Sequence, residues 1–280
     1  MSRSPRILAC LAIAAFAAAC ATGRTPHPTL QATLWVQTAA EYRALTEGIY
    51  NEATESLDGA LADSTWTAAV EQTGEYAALP PAVIVDIDET VLDNSAFQAR
   101  VIRQGGEFDP ELWDAWIAEA AARPIPGALE FTREADRRGV TVFYITNREQ
   151  PQESATRRNL EDLGFPLAAE VDVVLTRGER EEWESDKTTR RAAVATEYRI
   201  LLLAGDDLND FVDARISREL REELVRRHEA NWGEKWFVLP NPVYGSWEGS
   251  ILGYESALSV KERERVKREA LETLESPDAD

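Results

Sequence analysis

The chain has 280 residues, is 44% apolar with eight Trp, and sets 50 Asp and Glu against 30 Lys and Arg for a formal net charge of −20. That length predicts one domain with additions or two small ones, with apolar matter enough for a core. The charge argues against a nucleic-acid polymer as partner, because phosphate backbones need a basic footprint. The two histidines, His27 and His228, cannot build a phosphohistidine pathway or a His-rich dinuclear metal site, and there is no P-loop and no G-x-S-x-G elbow.

In chain order, Arg3 and Arg6 precede the apolar stretch ILACLAIAAFAAAC. It is too short for a membrane span and reads as a signal peptide over residues 1–19. Cys20 follows Ala17-Ala18-Ala19, which resembles a lipobox with Ala17 in place of the usual Leu. The expectation is that Cys20 is lipidated and heads the mature chain; plain cleavage after Ala19, leaving a soluble exported protein, is the alternative. The other cysteine, Cys10, lies in the discarded segment, so the mature chain has no intramolecular disulfide despite an oxidising compartment. Ala21 lacks the Asp that retains lipoproteins at the inner membrane, so in a Gram-negative host the anchor is expected at the outer membrane. Residues 20–32 read as the lipidated Cys and a polar tether.

An N-terminal helical extension follows over 33–80, with Leu34, Tyr42, Leu45, Ile49, Ala53 and Leu57 on one face and Trp35 and Tyr50 as packing aromatics. From residue 81 short apolar runs recur: AVIV (82–85), TVFYIT (141–146), VDVVL (171–175), RILLLAG (199–205) and KWFVL (235–239). They alternate little, as strands buried on both faces do. Helical patterns lie between them, with stops at Gly139 and Gly164 and an N-cap expected at Ser185. This order predicts an α/β fold with a doubly wound, Rossmann-like parallel sheet over 81–255. The long insertion at about 95–124 predicts a small helical cap, and 256–280 a charged helix with a frayed tail.

In open α/β sheets function gathers at the carboxyl ends of strands. There stand Asp86, Asp88 and Thr90 after the first run, Thr146, Asn147 and Arg148 after the second, and Asp206, Asp207 and Asp210 after RILLLAG, with Lys187 opening the helix before it. So many carboxylates repel one another unless a hard divalent cation such as Mg2+ offsets them. Lys187 and the Thr146 hydroxyl would hold an anion beside it. Together they describe a phosphate site with one Asp to spare as nucleophile and another as proton donor. Each element alone has a bland reading, since Asp is common in turns and at helix starts; the set in this order does not.

The combination D-x-D-x-T (Asp86, Asp88, Thr90), Thr146, Lys187 and G-D-x-x-x-D (Asp206, Asp210) resembles the haloacid dehalogenase (HAD) superfamily. With DIDETVLDNS, ITNR, SDKTTRR, GDDLNDF and LPNPVYGSWE, the chain from about Trp35 to Glu255 resembles the class C acid phosphatases, which are bacterial surface lipoproteins. The resemblance implies an HAD-type core and Mg2+-dependent hydrolysis of phosphomonoesters, nucleoside 5′-monophosphates and related ring-bearing phosphates among them. Asp86 would be the nucleophile and Asp88 the acid and then base. Asp86, Asp206 and the Asp88 backbone carbonyl would hold the metal. Thr146 and Lys187 would bind phosphoryl oxygens, with Asp210 in support. Asp207 stands where the family usually has Asn and adds a charge beside the metal. Trp113 and Tyr244 would form two faces of a ring-binding slot lined by Phe97, with Asn147 also toward substrate. Glu89, Asp93 and Asn94 have no assigned chemistry. The alternatives are a phosphotransferase using the same aspartyl-phosphate, or a non-catalytic binding lipoprotein on this fold.

Overall fold

The computed structural model describes residues 26–273, so the expected signal peptide and Cys20 lie outside the described residues. The chain enters through two helices, α1 (Leu30–Thr38) and α2 (Ala40–Ala62), broken at Ala39, whose backbone is extended. The buried face of α2 is Tyr42, Thr46, Tyr50, Ala53, Leu57 and Ala60. The expected stripe is right for Tyr42, Ala53 and Leu57 and wrong for Leu34 and Leu45, which are 43% and 49% exposed. The break at Ala39 resets the helical phase before Tyr42, and on α2 the 3.6-residue period sets Leu45 on the flank. Tyr50 lies against Phe131, ring centroids 5.5 Å apart, and its hydroxyl donates to the Thr90 carbonyl at 2.7 Å. The extension thus props the loop that carries Asp86 and Asp88.

Next come β1 (Pro81–Val85), β2 (Leu92–Asp93), α3 (Ser95–Gln104), α4 (Pro110–Glu119) and β3 (Arg123–Pro124). β2 and β3 pair antiparallel, so α3 and α4 leave and rejoin the body on one short stem. Asp109 caps α4, accepting the Glu111 N–H at 2.8 Å with Pro110 at the first helical position. Then follow α5 (Ala128–Arg137), β4 (Thr141–Glu149), α6 (Glu153–Leu163), β5 (Val174–Arg177), α7 (Thr188–Glu197), β6 (Arg199–Gly205), α8 (Arg218–Arg227) and β7 (Trp236–Val238). After β7 come α9 (Ser246–Ile251) and α10 (Val260–Glu269).

Strands β5-β4-β1-β6-β7, in that order, form one parallel sheet, the doubly wound arrangement expected. The chain winds outward from β1 through β4 to β5, then returns past β1 to β6 and β7. The strand order therefore reverses between β1 and β6, which opens a crevice at their carboxyl ends. Two local expectations are off by a few residues, each beside an Asp side chain that accepts a backbone N–H. Asp172 accepts the Val174 N–H, and β5 begins at Val174 rather than 171. The N-cap of α7 is Lys187, without a side-chain cap, and Asp186 just before it accepts both the N–H and the hydroxyl of Thr188, so Ser185 is not the cap.

Tyr50→Phe keeps the ring against Phe131 and deletes the bond to Thr90. With that buried carbonyl left without its donor, a loss of about 1–3 kcal/mol is expected, read as a lower urea midpoint. An unchanged midpoint would mean that the bond does not brace the loop.

Candidate active site

β1 and β6 end side by side, and the Asp86 N–H closes the gap by donating to the Ala204 carbonyl at 2.9 Å. The Asp86 carboxyl beyond it is only 7% exposed. Lys187, brought in by the start of α7, places its ammonium between two acids: it donates to Asp86 Oδ1 and, at 2.6 Å, to Asp210 Oδ1. Asp206 completes the group. Its Oδ2 accepts the Asn241 amide at 2.7 Å, and Thr90 Oγ1 lies 3.5 Å from its Oδ1. Carboxylate oxygens of Asp86, Asp206 and Asp210 all lie within 4.8 Å of one another. An all-oxygen set this close fits a hard divalent cation. Gly205 supplies room: a Cβ there would collide with the Asp210 side chain, which folds back to accept the Asp207 N–H at 3.0 Å.

Asp88 faces away from that trio. Arg148, 3% exposed, donates to Asp88 Oδ1 through NH2 at 2.7 Å and through Nε at 3.0 Å, and through NH1 to Thr156 Oγ1 at 3.1 Å. The Asn94 amide donates to Asp88 Oδ1 at 2.8 Å while its own oxygen accepts the Trp116 indole N–H at 2.8 Å. Asp86, Asp88, Asp206 and Lys187 all line one cavity of about 2620 Å³, bounded on the far side by the cap, residues 26–29 and α10. A single small ligand needs about 300–1000 Å³, so the cavity alone does not select a substrate.

The family model for the HAD superfamily, subfamily IIIB (acid phosphatase), matches residues 15–247. The chain belongs to this family. The class C acid phosphatase from Bacillus anthracis is 35% identical and superposes with a TM-score of 0.78, over 88% of this chain and 97% of that one. The same enzyme with tungstate bound gives a TM-score of 0.77 at 35% identity. Acid phosphatase 1 of Solanum lycopersicum is 28% identical over 166 residues, and the match spans 57% of that relative's length.

On this subfamily IIIB acid phosphatase the residues singled out by sequence fall into three groups. Asp86, Lys187, Asp206 and Asp210 converge directly. Thr146 is wholly buried, and its hydroxyl oxygen accepts the Arg148 N–H at 3.1 Å, so it underlies Arg148 rather than facing the cavity. Asn147 is exposed, but its amide is a brace, donating to the Ser185 carbonyl at 2.9 Å and accepting from Arg190 at 2.7 Å. Asp207 is the clearest correction. Its carboxylate turns from the cluster to accept the N–H and hydroxyl of Ser246, both at 2.5 Å, and the Asn209 N–H at 2.9 Å. Burial works against its charge, yet the Ser246 and Asn209 donors outweigh it and hold this carboxyl below the usual range. The added charge is spent on the turn after β6.

The aromatic slot is partly rearranged. Phe97 is largely buried and stands edge-on to Trp113, centroids 5.0 Å apart, and it lines the same cavity as Trp113 and Tyr244. Phe108, 62% exposed, joins Trp113 on the cavity side of the cap. Trp116 is packing, as its 3% exposure and bond to Asn94 show. Tyr244 lines the cavity, and its hydroxyl donates to Glu89 Oε2. Glu89, Asn94 and Asn241 were missed as members of the site, and Arg148, placed at the functional edge by the sequence, was given no role there. For Arg148 a signal existed, since an Asp on a loop after a buried strand needs a cationic or amide partner.

Burial pushes the Asp206 carboxyl well up, and Asp86 and Asp210 add to it. Asp86 is raised by burial against the downward pull of Lys187, with Asp210 and Asp88 adding to the rise. Burial works against charge on Lys187, but Asp210 and Asp86 more than reverse it, so the ammonium stays charged. Glu89 is pushed to about 8 by burial and the neighbouring Asp88. A carboxyl whose folded pKa is raised contributes stability below its unfolded value, which is lost as pH climbs toward the folded one. In chelator, the thermal midpoint is therefore expected to fall as pH rises from Glu89's ordinary 4.5 toward about 8. Glu89→Gln should flatten part of that slope; a midpoint rising across the window would contradict these shifts.

Proposed function

We propose that this acid phosphatase is a Mg2+-dependent phosphomonoesterase working through an aspartyl-phosphate on Asp86. One observation carries the reading: the Asp86 carboxylate, at the β1/β6 crevice, is held by the Lys187 ammonium beside Asp206 and Asp210. An Asp86 oxygen attacks phosphorus, and the bond from phosphorus to the ester oxygen breaks. Asp88, two residues on and held by Arg148 and Asn94, gives its proton to the departing oxygen. Asp88 then takes a proton from water as that water's oxygen displaces Asp86 from phosphorus, releasing phosphate and restoring both acids.

Lys187 neutralises charge on the phosphoryl oxygens and draws Asp86 toward its ionised form against the effect of burial. Asp210, paired to Lys187 at 2.6 Å, aims the ammonium. Mg2+ would be held by Asp86, Asp206 and the Asp88 backbone carbonyl, and when bound supplies positive charge against the phosphoryl group. Arg148 orients Asp88 and offsets its charge after proton transfer. Trp113, Phe108 and Tyr244 on the cavity wall favour ring-bearing phosphates, nucleoside 5′-monophosphates among them, because stacking tolerates many rings. Export and a lipid anchor at Cys20, at the outer membrane, belong to the same reading. They rest on the sequence of residues 1–20; among the described residues no helix is long and apolar enough to cross a membrane.

Phosphate release from p-nitrophenyl phosphate and nucleoside 5′-monophosphates, measured on residues 21–280, tests the mechanism. Chelator should abolish it, added Mg2+ should restore it, and Asp86→Asn should lower kcat by about 10³-fold or more. Activity surviving both chelator and Asp86→Asn would overturn the assignment.

Because Asp88 must carry a proton to act first, the rate is expected to be highest on the acid side of neutrality. A rate climbing steadily from about pH 5 to about pH 9 would exclude Asp88 as the acid.

A further inference from the structure

Glu89 has no part in the chemistry above, yet the fold holds it in a conformation that L side chains rarely adopt, with φ at 59°. Its N–H donates to the Leu92 carbonyl at 2.8 Å, closing the turn. Its carboxylate is buried, 4% exposed, and both oxygens are engaged. Oε1 accepts the Asn94 N–H at 3.0 Å, and Oε2 accepts the Tyr244 hydroxyl and, at 3.3 Å, the Asn94 amide. That amide also donates to Asp88 Oδ1 at 2.8 Å, and Trp116 pins its oxygen from the cap side at 2.8 Å. An unbroken line of bonds therefore runs Tyr244–Glu89–Asn94–Asp88. It joins the wall contributed after β7 to the acid contributed after β1, 155 residues apart at the Tyr244–Glu89 link.

A carboxylate is suited to this junction. As the anion it accepts on both oxygens from Asn94 and Tyr244; when protonated it can keep the Asn94 bonds and donate to the Tyr244 oxygen instead. An isolated acid in this place would be costly to bury without those donors, and no cation among the described residues forms an ion pair with Glu89. We propose that Glu89 is a positioning residue for proton transfer. It fixes Asn94, and through it the Asp88 carboxyl, relative to the Tyr244 wall, so that a leaving group resting on that wall meets Asp88 in one orientation. The proposal rests on the reading of Asp88 as the acid of the phosphatase reaction.

Two substrates separate positioning from mere structural support. Phenyl phosphate and p-nitrophenyl phosphate share a ring, but only the phenolate oxygen strongly needs a proton to leave. For the Mg2+-loaded enzyme, kcat/KM reports the phosphorylation step on each. Glu89→Gly, which accepts the left-handed backbone, is expected to lose about tenfold more on phenyl phosphate than on p-nitrophenyl phosphate. Glu89→Gln should recover part of that difference, because its oxygen can accept the Asn94 N–H while its amide donates to the Tyr244 oxygen, but the bond from the Asn94 amide is lost. Tyr244→Phe should show a loss of the same kind, and combined with Glu89→Gly the two should be non-additive. Should Glu89→Gly not fold, Tyr244→Phe and Glu89→Gln carry the test.

Equal losses on both substrates, or additive losses in the double variant, would overturn the proposal. Asp88→Asn is the control for the reading beneath it. If Asp88→Asn shows no excess loss on phenyl phosphate, the assignment of Asp88 falls and the Glu89 proposal with it. If Asp88→Asn shows the excess and Glu89→Gly does not, the Glu89 proposal alone falls.

Discussion

A single buried ammonium organises this molecule. Lys187 is 4% exposed and lies between Asp86 and Asp210, themselves at 7% each. Charges so placed are tolerable only when paired, and removing one partner of such a pair is far costlier than never having buried it. The ammonium can reach both acids only if β1, the start of α7 and the turn after β6 all end at one place. The three residues are spread over more than a hundred positions of chain, so the electrostatic demand is also a demand on topology. The parallel sheet meets it, because each strand delivers its carboxyl end to the same edge.

Around that centre the acids are sorted by their partners. Asp86 and Asp210 have the lysine, Asp88 has Arg148 and Asn94, Asp206 has Asn241, and Asp207 has Ser246. The result is two neighbouring environments: a crowded trio open to a cation, and an acid held apart by a guanidinium. The N-terminal helices serve the same end from below, since Tyr50 reaches the backbone of Thr90 in the loop between the two. Only the Asn94 partner in this sorting touches the cap. The cap adds aromatic surface through Trp113 and Phe108, and a single indole bond, from Trp116 to Asn94, ties it into the polar line.

The sheet and the acids at its edge were legible in the sequence because both obey short-range rules. Five apolar runs with little alternation announce buried parallel strands, and the polar residues at the end of each run mark the functional edge. The partners were harder to see. Which donor satisfies a given carboxylate depends on rotamers and on loops that meet only in three dimensions. Asp207 shows this well: beside two other acids in GDDLND it reads as part of a charge cluster, yet Ser246, 39 residues away, turns it aside. Leu34 fails for a simpler reason, since the break at Ala39 puts it out of phase with the face that α2 buries. Glu89 could not be anticipated, because no local pattern marks a non-glycine residue held in the left-handed region.

Gly205 carries no chemical group, yet the geometry of the acids turns on it. Its missing Cβ is the space into which Asp210 folds on its way to Lys187. Its backbone does not have the positive φ that would call for glycine, so it is kept small by a neighbour and not by its own conformation. The site thus contains a residue whose contribution is volume withheld. Mutational tolerance here should not track distance from the reacting atoms: the chain could accept many changes on the cavity rim more readily than one methyl group at the end of β6.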